Sequence, residues 1–418
     1  MADSFAFSRS SRFNSGNLDP LAASRPSGLV RAESLSIKPH SIRKVIVKKL
    51  GQARKKDTPM KLALLVAGLL ASSASCAGWM TQFASQPLNK LVIPGSHDSG
   101  AYEVSVPGVT SPDFSQIRYV PDFLQAMFVK DWGKSQSLSV GQQLTAGYRY
   151  LDLRLCGKGN TVYTCHGVYT APLSQIVADV KSYLSTADAS SEVIVMDINH
   201  LYGMSPELNA SVASTLGSQL GQWIASPSQF TMSTPVGKFA SANKHLIITY
   251  ADQSTQVSNS NMLWPTTVIN SPWPNAQTAS SLEAALSISP PVSTSQLYVH
   301  QTQLTPSAQI IEGGFLPGHP STLRAFTSGY EATVANWIQS VGIGYVASGG
   351  VIVQDFVGDG IFSGRDLTQY AIIRNQQMFA QTSTVSPFST QAPPSSSPKP
   401  TVLTKFVNVV KSLLKRFF

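Results

Sequence analysis

Leu91-Val-Ile-Pro-Gly-Ser-His-Asp-Ser-Gly100 is an apolar run that breaks at Pro94-Gly95 and delivers His97 and Asp98 into the turn that follows. An imidazole at the mouth of a buried strand is placed for proton transfer. Gly147-Tyr-Arg-Tyr-Leu-Asp-Leu-Arg154 is a second strand-like run, and its period of two puts Asp152 and Arg154 on one face. Charges inside so apolar a segment are costly unless paired or employed. Thr164-Cys-His-Gly167 places His166 at the end of a third short run, and Gly350-Val-Ile-Val-Gln-Asp-Phe356 ends a fourth on Asp355. A lone histidine after a strand is more often a structural hydrogen-bonder; four such runs are hard to explain as packing. Cleaving a phosphodiester by attack of a neighbouring hydroxyl needs a base, an acid for the leaving oxygen, and a cation for the phosphoryl charge. His97 oriented by Asp355 fits the base, His166 supported by Asp98 the acid, and the planar fork of Arg154 the phosphate grip.

These runs need a scaffold that brings their ends together. Leu173, Ile176, Val177, Val180 and Leu184 have helical spacing, and Glu192-Val-Ile-Val-Met-Asp-Ile-Asn199 is a further buried strand ending in Asp197, Asn199 and His200. Residues 212–224 read as a helix, His245–Tyr250 and Leu297–Gln301 as strands, and 334–341 as a helix before the Asp355 strand. Residues 79–89 form a helical lead-in, 101–135 a long loop over the active face, and 132–143 a helix entry. Strands alternating with helices imply a parallel sheet with crossover helices, an α/β fold best met by a single TIM-like (β/α) barrel spanning residues 78–382. Every motif then falls at the C-terminal strand ends. Cys156 and Cys165 flank a short Gly-containing turn, so their strands pair as a hairpin carrying either a disulfide or two buried thiols.

The 418-residue chain has a net charge of +9 that is unevenly spread: +9 in residues 1–77, −5 in 78–382 and +5 in 383–418. A mildly acidic body excludes a nucleic-acid-binding core and assigns the basic arms to something anionic. Residues 1–59 are Ser- and Arg-rich without periodicity, a disordered polybasic arm. Residues 60–77 carry a charged start, the apolar stretch Leu62–Leu70 and Ser75-x-Ala77, the pattern of a signal peptide, a marginal membrane anchor or a capping helix. Residues 383–400 are a Pro/Ser linker. Residues 401–418 place Phe406, Val409, Val410, Leu413, Leu414 and Phe417 on one face flanked by lysines, an amphipathic helix suited to an anionic membrane.

The ordered string Pro-Gly-Ser-His-Asp-Ser, Gly-Tyr-Arg-Tyr-Leu-Asp-Leu-Arg and Cys-His-Gly-Val-Tyr resembles the X domain of phosphatidylinositol-specific phospholipase C, over about Trp79 to Asn375. It is most similar to the stand-alone X-domain proteins and the metal-independent bacterial enzymes. The resemblance implies the same roles for His97, Asp98, Arg154, His166 and Asp355, with Asp152 completing the site, and release of diacylglycerol and a cyclic inositol phosphate. It implies no metal, because calcium-using relatives carry an acidic residue at the position of Arg154; Asp98, Asp152 and Asn199 remain as oxygen ligands for weak calcium binding. The bacterial enzymes place a lysine near Asn199 or His200 and an arginine after the strand matching His245–Tyr250, and this chain has neither. Asp197, Asn199, His200, Tyr250 and Trp264 are the candidate headgroup contacts, with Trp273 and His300 as further wall residues. The expected partners are a phosphoinositide or other anionic phospholipid and a membrane surface, the expected setting secreted or membrane-associated, and the expected state monomeric. Another lipid headgroup, or a catalytically silent lipid-binding module, are the alternatives.

Overall fold

Val92, Ile93 and their neighbours are wholly buried and too short a run for a helix, so they enter a sheet as β1 (Val92–Ser96). The other strands are β2 (Tyr150–Lys158), β3 (Thr161–Cys165), β4 (Tyr169–Pro172), β5 (Ile194–Tyr202), β6 (Leu246–Tyr250), β7 (Leu263–Pro265), β8 (Ile269–Asn270), β9 (Leu297–Gln301) and β10 (Gly350–Gln354). The computed structural model describes residues 78–114, 121–288, 295–314, 316–341, 349–361 and 366–380. Every described residue lies within Ser75–Phe418. The arms expected at 1–59, 60–77, 383–400 and 401–418 lie outside the described residues. Among the described residues no helix is long and apolar enough to cross a membrane.

The strands form one ladder in the order β7-β6-β5-β2-β1-β10-β9-β8, every pair on it parallel. Return of the last long strand beside the first is the cyclic order of a TIM-like barrel. Among the described residues no pairing joins β7 to β8, so the barrel is unlaced there, where a single 3-10 turn, Thr266–Val268, connects them. β3 pairs antiparallel with β2, and β4 with β3, forming a side flap off the ladder.

Alternation along each strand divides inside from outside. Ile93, Tyr150, Val195, Ile247, Val299 and Val351 meet inside the barrel. Leu151, Leu153, Met196 and Ile248 face outward onto Ile176 and Val180 of the helix Leu173–Leu184 and Leu216 of Pro206–Leu220. Each such side chain removed from water contributes about 1.5–3 kcal/mol. Asn375, on the helix Leu367–Ala380, receives the Val92 N–H at 2.7 Å and donates to the Val92 carbonyl at 2.9 Å, completing the entry of β1 like an extra strand residue.

Several elements differ from the sequence reading. The lead-in is two 3-10 turns, Trp79–Phe83 and Leu88–Lys90, not a continuous helix. The 101–135 loop contains a helix, Asp122–Val129. The helix expected at 212–224 starts at Pro206, because the Ser205 hydroxyl accepts the Leu208 N–H and proline suits the first turn. The helix entry at 132–143 resolves into Val140–Thr145, closed by a Ser139/Gln142 capping box.

The barrel floor holds one fully buried ion pair. Arg149 Nε lies 2.5 Å from Glu192 Oε2, Nη1 reaches the Leu144 and Tyr148 carbonyls, and Glu192 Oε1 receives the Met80 N–H at 2.8 Å. Removing one partner leaves a buried charge uncompensated. Arg149→Leu is expected to destabilise the fold by about 3–5 kcal/mol, read as a lowered denaturant midpoint, and Arg149→Leu/Glu192→Leu to recover much of that loss. A single variant with the wild-type midpoint would refute this role.

Candidate active site

Inward-facing positions turn from apolar to ionisable toward the C-terminal strand ends. Above Ile93 comes His97, above Tyr150 come Asp152 and Arg154, above Val195 comes Asp197, and above Val353 comes Asp355. Four strands thus deliver charge to one mouth. The β1 turn is fixed from three sides. His97 N–H donates to the Gln354 carbonyl of β10 at 3.0 Å, Ser99 N–H to the Asp152 carbonyl at 2.8 Å, and Asp98 N–H to Asp152 Oδ2 at 3.3 Å. Asp98 and Phe356, each beside a functional residue, hold φ of 41° and 46°. Such left-handed positions cost about 1–3 kcal/mol each and persist where the surroundings over-determine them.

His97 Nδ1 lies 2.7 Å from Asp355 Oδ1, and its Nε2 lies 3.2 Å from Asp98 Oδ2. His166 Nε2 lies 3.5 Å from the same Asp98 oxygen, and Arg154 Nε 2.9 Å from Asp98 Oδ1. The two imidazoles stand 5.7 Å apart between centroids at 83°, so they straddle a common atom. The contacts of Asp98 are ion-pair distances without hydrogen-bond alignment. Arg154 Nη2 is also 3.3 Å from His97 Nε2. With His97 protonated, Nε2 cannot accept from Arg154, and the two cations share the Asp98 carboxylate.

Burial works against charge on His97, but Asp98, Asp355 with its hydrogen bond, and Asp152 outweigh it and raise the imidazole to about 9. His166 goes the other way: burial, then Arg154 and His97, lower it against the pull of Asp98 and Asp113. Burial raises Asp98, yet Arg154, His97 and His166 together hold it below the usual carboxylate range. One imidazolium and one neutral imidazole therefore flank one carboxylate near neutral pH.

Asp197 sits beneath the site. Tyr150 Oη donates to it at 2.5 Å, Thr249 Oγ1 also donates, and Asn199 Nδ2 spans Asp197 Oδ2 at 3.1 Å and Asp152 Oδ1 at 2.6 Å. The β2–β5 register shifts so that Leu153 pairs with Ile198 but Arg154 with His200. This bulge sends both Asn199 and His200 toward the mouth. His200 is exposed, bonds Asn199 Oδ1 through Nδ1 at 2.7 Å and stacks on Tyr202.

Three expected wall residues are elsewhere. Tyr250 faces outward and its hydroxyl donates to Asn209 Oδ1 at 2.8 Å. Trp264 is inside the apolar core, with its indole N–H on the Ala225 carbonyl at 2.7 Å. His300 is buried beside Ile352 on the outer phase of the sheet, and burial lowers it to about 4. Trp273 is exposed just beyond β8, with its indole N–H on Thr305 Oγ1 at 3.1 Å. Residues without a sequence signal do the holding instead. Gln136 Nε2 donates to the His97 carbonyl at 2.7 Å and the Gln354 carbonyl at 3.1 Å, while its Oε1 accepts the Val357 N–H at 3.1 Å. Ser135 accepts the Phe356 N–H at 2.8 Å through its carbonyl, and Gln143 accepts from the Ser96 hydroxyl at 2.7 Å. Cys156 and Cys165 form a disulfide, settling the alternative the spacing left open.

The elevated His97 value has a direct check. Its ring is expected to titrate near pH 9 by NMR, and Asp355→Asn to move that titration downward by removing a charge and a hydrogen bond. The matching stability contribution is complete below the unfolded value of about 6.5 and is lost as pH rises through 9. A His97 titration at its ordinary value in the wild type would contradict the arrangement.

No protein-family model matches the chain. PI-PLC X domain-containing protein 3 of Mus musculus is 27% identical over 302 residues, 67% of this chain and 91% of that protein. PI-PLC X domain-containing protein 2 of Homo sapiens is 29% identical over 269 residues, 61% of this chain and 87% of that protein. Among solved structures, a phosphatidylinositol-specific phospholipase C from Staphylococcus aureus aligns with a TM-score of 0.50 at 17% identity, covering 72% of this chain and 98% of that one, a likeness of fold. Along most of their own length the mouse and human PI-PLC X domain-containing proteins are similar in sequence to this chain, and the bacterial structure shares its barrel fold.

Proposed function

We propose that the chain is a phosphodiesterase of the phospholipase C type acting on phosphatidylinositol-type lipids. The observation that carries this is the pair of imidazole Nε2 atoms meeting one Asp98 oxygen at 3.2 and 3.5 Å, with Arg154 2.9 Å from the other oxygen. A point that accommodates one anion between two proton-transfer groups and a guanidinium suits a phosphoryl group of the same charge. His97 takes the proton of the attacking headgroup hydroxyl, held by Asp355; His166 protonates the departing glycerol oxygen; Arg154 neutralises the phosphoryl oxygens. At pH 7 the resting pair is a protonated His97 and a neutral His166, the reverse of what the step needs, so the reactive form is a minor one. It gains as His97 loses its proton and is depleted equally as His166 loses its own, and kcat/KM is expected to stay level between pH 7 and 8 and to fall above about 9.

Calcium fits this donor set poorly. His97, Asp98 and Asp152 bring ligand atoms within reach of one ion. Calcium wants six to eight oxygens, whereas one donor here is an imidazole and the Arg154 guanidinium already engages Asp98. The reading is therefore metal-independent turnover.

Asn199 is committed to Asp152 and Asp197, leaving the His200–Tyr202 pair as the nearby polar wall. That favours, as a second reading, a different lipid headgroup on the same chemistry. A lipid surface is supported by the helix Asp122–Val129, which exposes Phe123 (59%) and Met127 (56%) one turn apart. Val129 of this helix lies against Gly167, next to His166, so the apolar face adjoins the mouth. The basic arms would add attraction to anionic lipid and, with the signal-like segment, a secreted or membrane-associated setting.

Vesicles of phosphatidylinositol, phosphatidylcholine or phosphatidylglycerol, with and without chelator, distinguish the readings by diacylglycerol release. Turnover on the inositol lipid unaffected by chelator is expected, and His97→Ala should lower kcat at least about 100-fold without changing vesicle binding. Survival of turnover in that variant would overturn the assignment. Phe123→Ser/Met127→Ser should weaken vesicle binding several-fold while hydrolysis of a soluble short-chain substrate continues; unchanged binding would remove this face from the lipid contact.

A further inference from the structure

The two imidazoles are not held alike. His97 Nδ1 is fixed by Asp355 at 2.7 Å, but His166 Nδ1 has no hydrogen-bond partner among the described residues. The orientation of His166 must then come from its backbone. That backbone leaves the ladder: the β3–β4 register shifts between Tyr163 and Cys165, and residues 166–168 form the turn between the two strands. Something outside the ladder has to hold it.

We propose that Asp113 and the Cys156–Cys165 disulfide form a brace that positions His166 against Arg154, making Asp113 a positioning residue and the disulfide a requirement for turnover. This rests on the phosphodiesterase reading. The disulfide joins β2 two residues after Arg154 to β3 one residue before His166, with Cα atoms 5.9 Å apart. Both sulfur-bearing residues are buried, at 0% and 1% exposure. Asp113 Oδ2 accepts the Gly167 N–H at 2.9 Å, and its Oδ1 accepts from the Ser111 hydroxyl and lies 3.8 Å from Cys156 Sγ. Ser111 N–H returns to the Gly167 carbonyl at 3.1 Å, and Thr110 bridges Val168. From the opposite side the chain at Gly133 presses on the turn: a Cβ there would stand 2.5 Å from the His166 carbonyl oxygen and 2.7 Å from Val168. The turn is gripped by a carboxylate, a backbone pair and a covalent bond, all ending within one residue of His166.

Reduction by a dithiol breaks the S–S bond, delivers two electrons and two protons to give the Cys156 and Cys165 thiols, and leaves the dithiol as a disulfide. A displacement of about 1 Å at a catalytic group costs on the order of 100-fold, so loosening the brace should appear in kcat.

The full chain is tested on phosphatidylinositol vesicles. Asp113→Ala is expected to lower kcat about 10- to 100-fold with KM and vesicle binding unchanged, and Asp113→Asn, which keeps an acceptor for Gly167, to retain most activity. Dithiothreitol sufficient to raise the thiol titre by two should lower kcat similarly with circular dichroism preserved, and reoxidation should restore it. Cys156→Ser/Cys165→Ser should match the reduced enzyme. Wild-type kcat in Asp113→Ala, or in the fully reduced protein, overturns the proposal. If the wild type cleaves no lipid diester, the functional reading fails, and amide exchange then decides the brace alone. Faster exchange of the Gly167 amide in Asp113→Ala and in the reduced protein supports it, and unchanged exchange refutes it.

Discussion

A carboxylate 3% exposed, Asp98, is kept ionised at the mouth of the barrel, and much of the surrounding architecture answers to that cost. Taking a carboxylate out of water carries a penalty of several kcal/mol, recovered only if cations are held close in a fixed geometry. Arg154 and His97 supply the charge and His166 closes the third side, each coming from a different strand end or turn. The barrel brings the β1 turn beside the end of β2, and the flap hairpinned onto β2 adds His166. The same demand explains the polar clasp of Gln136 and Gln143, neither of which touches a reacting group. They tie off the carbonyls and hydroxyls of turns whose backbone at Asp98 and Phe356 is strained.

The strand ends were legible because apolar runs broken by Pro94-Gly95 or ending in Asp355 advertise themselves in composition. Parity along β2 correctly placed Asp152 and Arg154 on one face. Tyr250 was beyond the reach of parity, because β6 is buried on both faces and shows no alternation to say which side is inside. β7 and β8, three and two residues long, are too short for any periodic signal. Ser135, Gln136 and Asp113 lie in aperiodic loops where a polar residue is the ordinary expectation, so nothing in their neighbourhood marks them. The helix Asp122–Val129 was hidden by the prolines around it.

The imidazole pair and the polar wall near Asn199 part company in this chain. Asp152 and Asn199 meet through a 2.6 Å hydrogen bond, which makes Asn199 a structural prop for the anionic cluster. The two imidazoles belong to the β1 and β3 turns and the Asp355 that holds one of them to the end of β10, whereas the polar wall near Asn199 belongs to β5. Two separate parts of the barrel thus carry two separable properties.

The β5 bulge makes that separation easy to exploit. Because one surplus residue lets Asn199 and His200 aim the same way, loss of a single codon there would re-phase only the outer tip of the strand, exchanging the roles of Leu201 and Tyr202 while the paired stretch below Ile198 stays in register. A lineage could in this way alter the polar wall by a three-nucleotide deletion, while re-seating Asn199 on Asp152 and His200 beside Arg154.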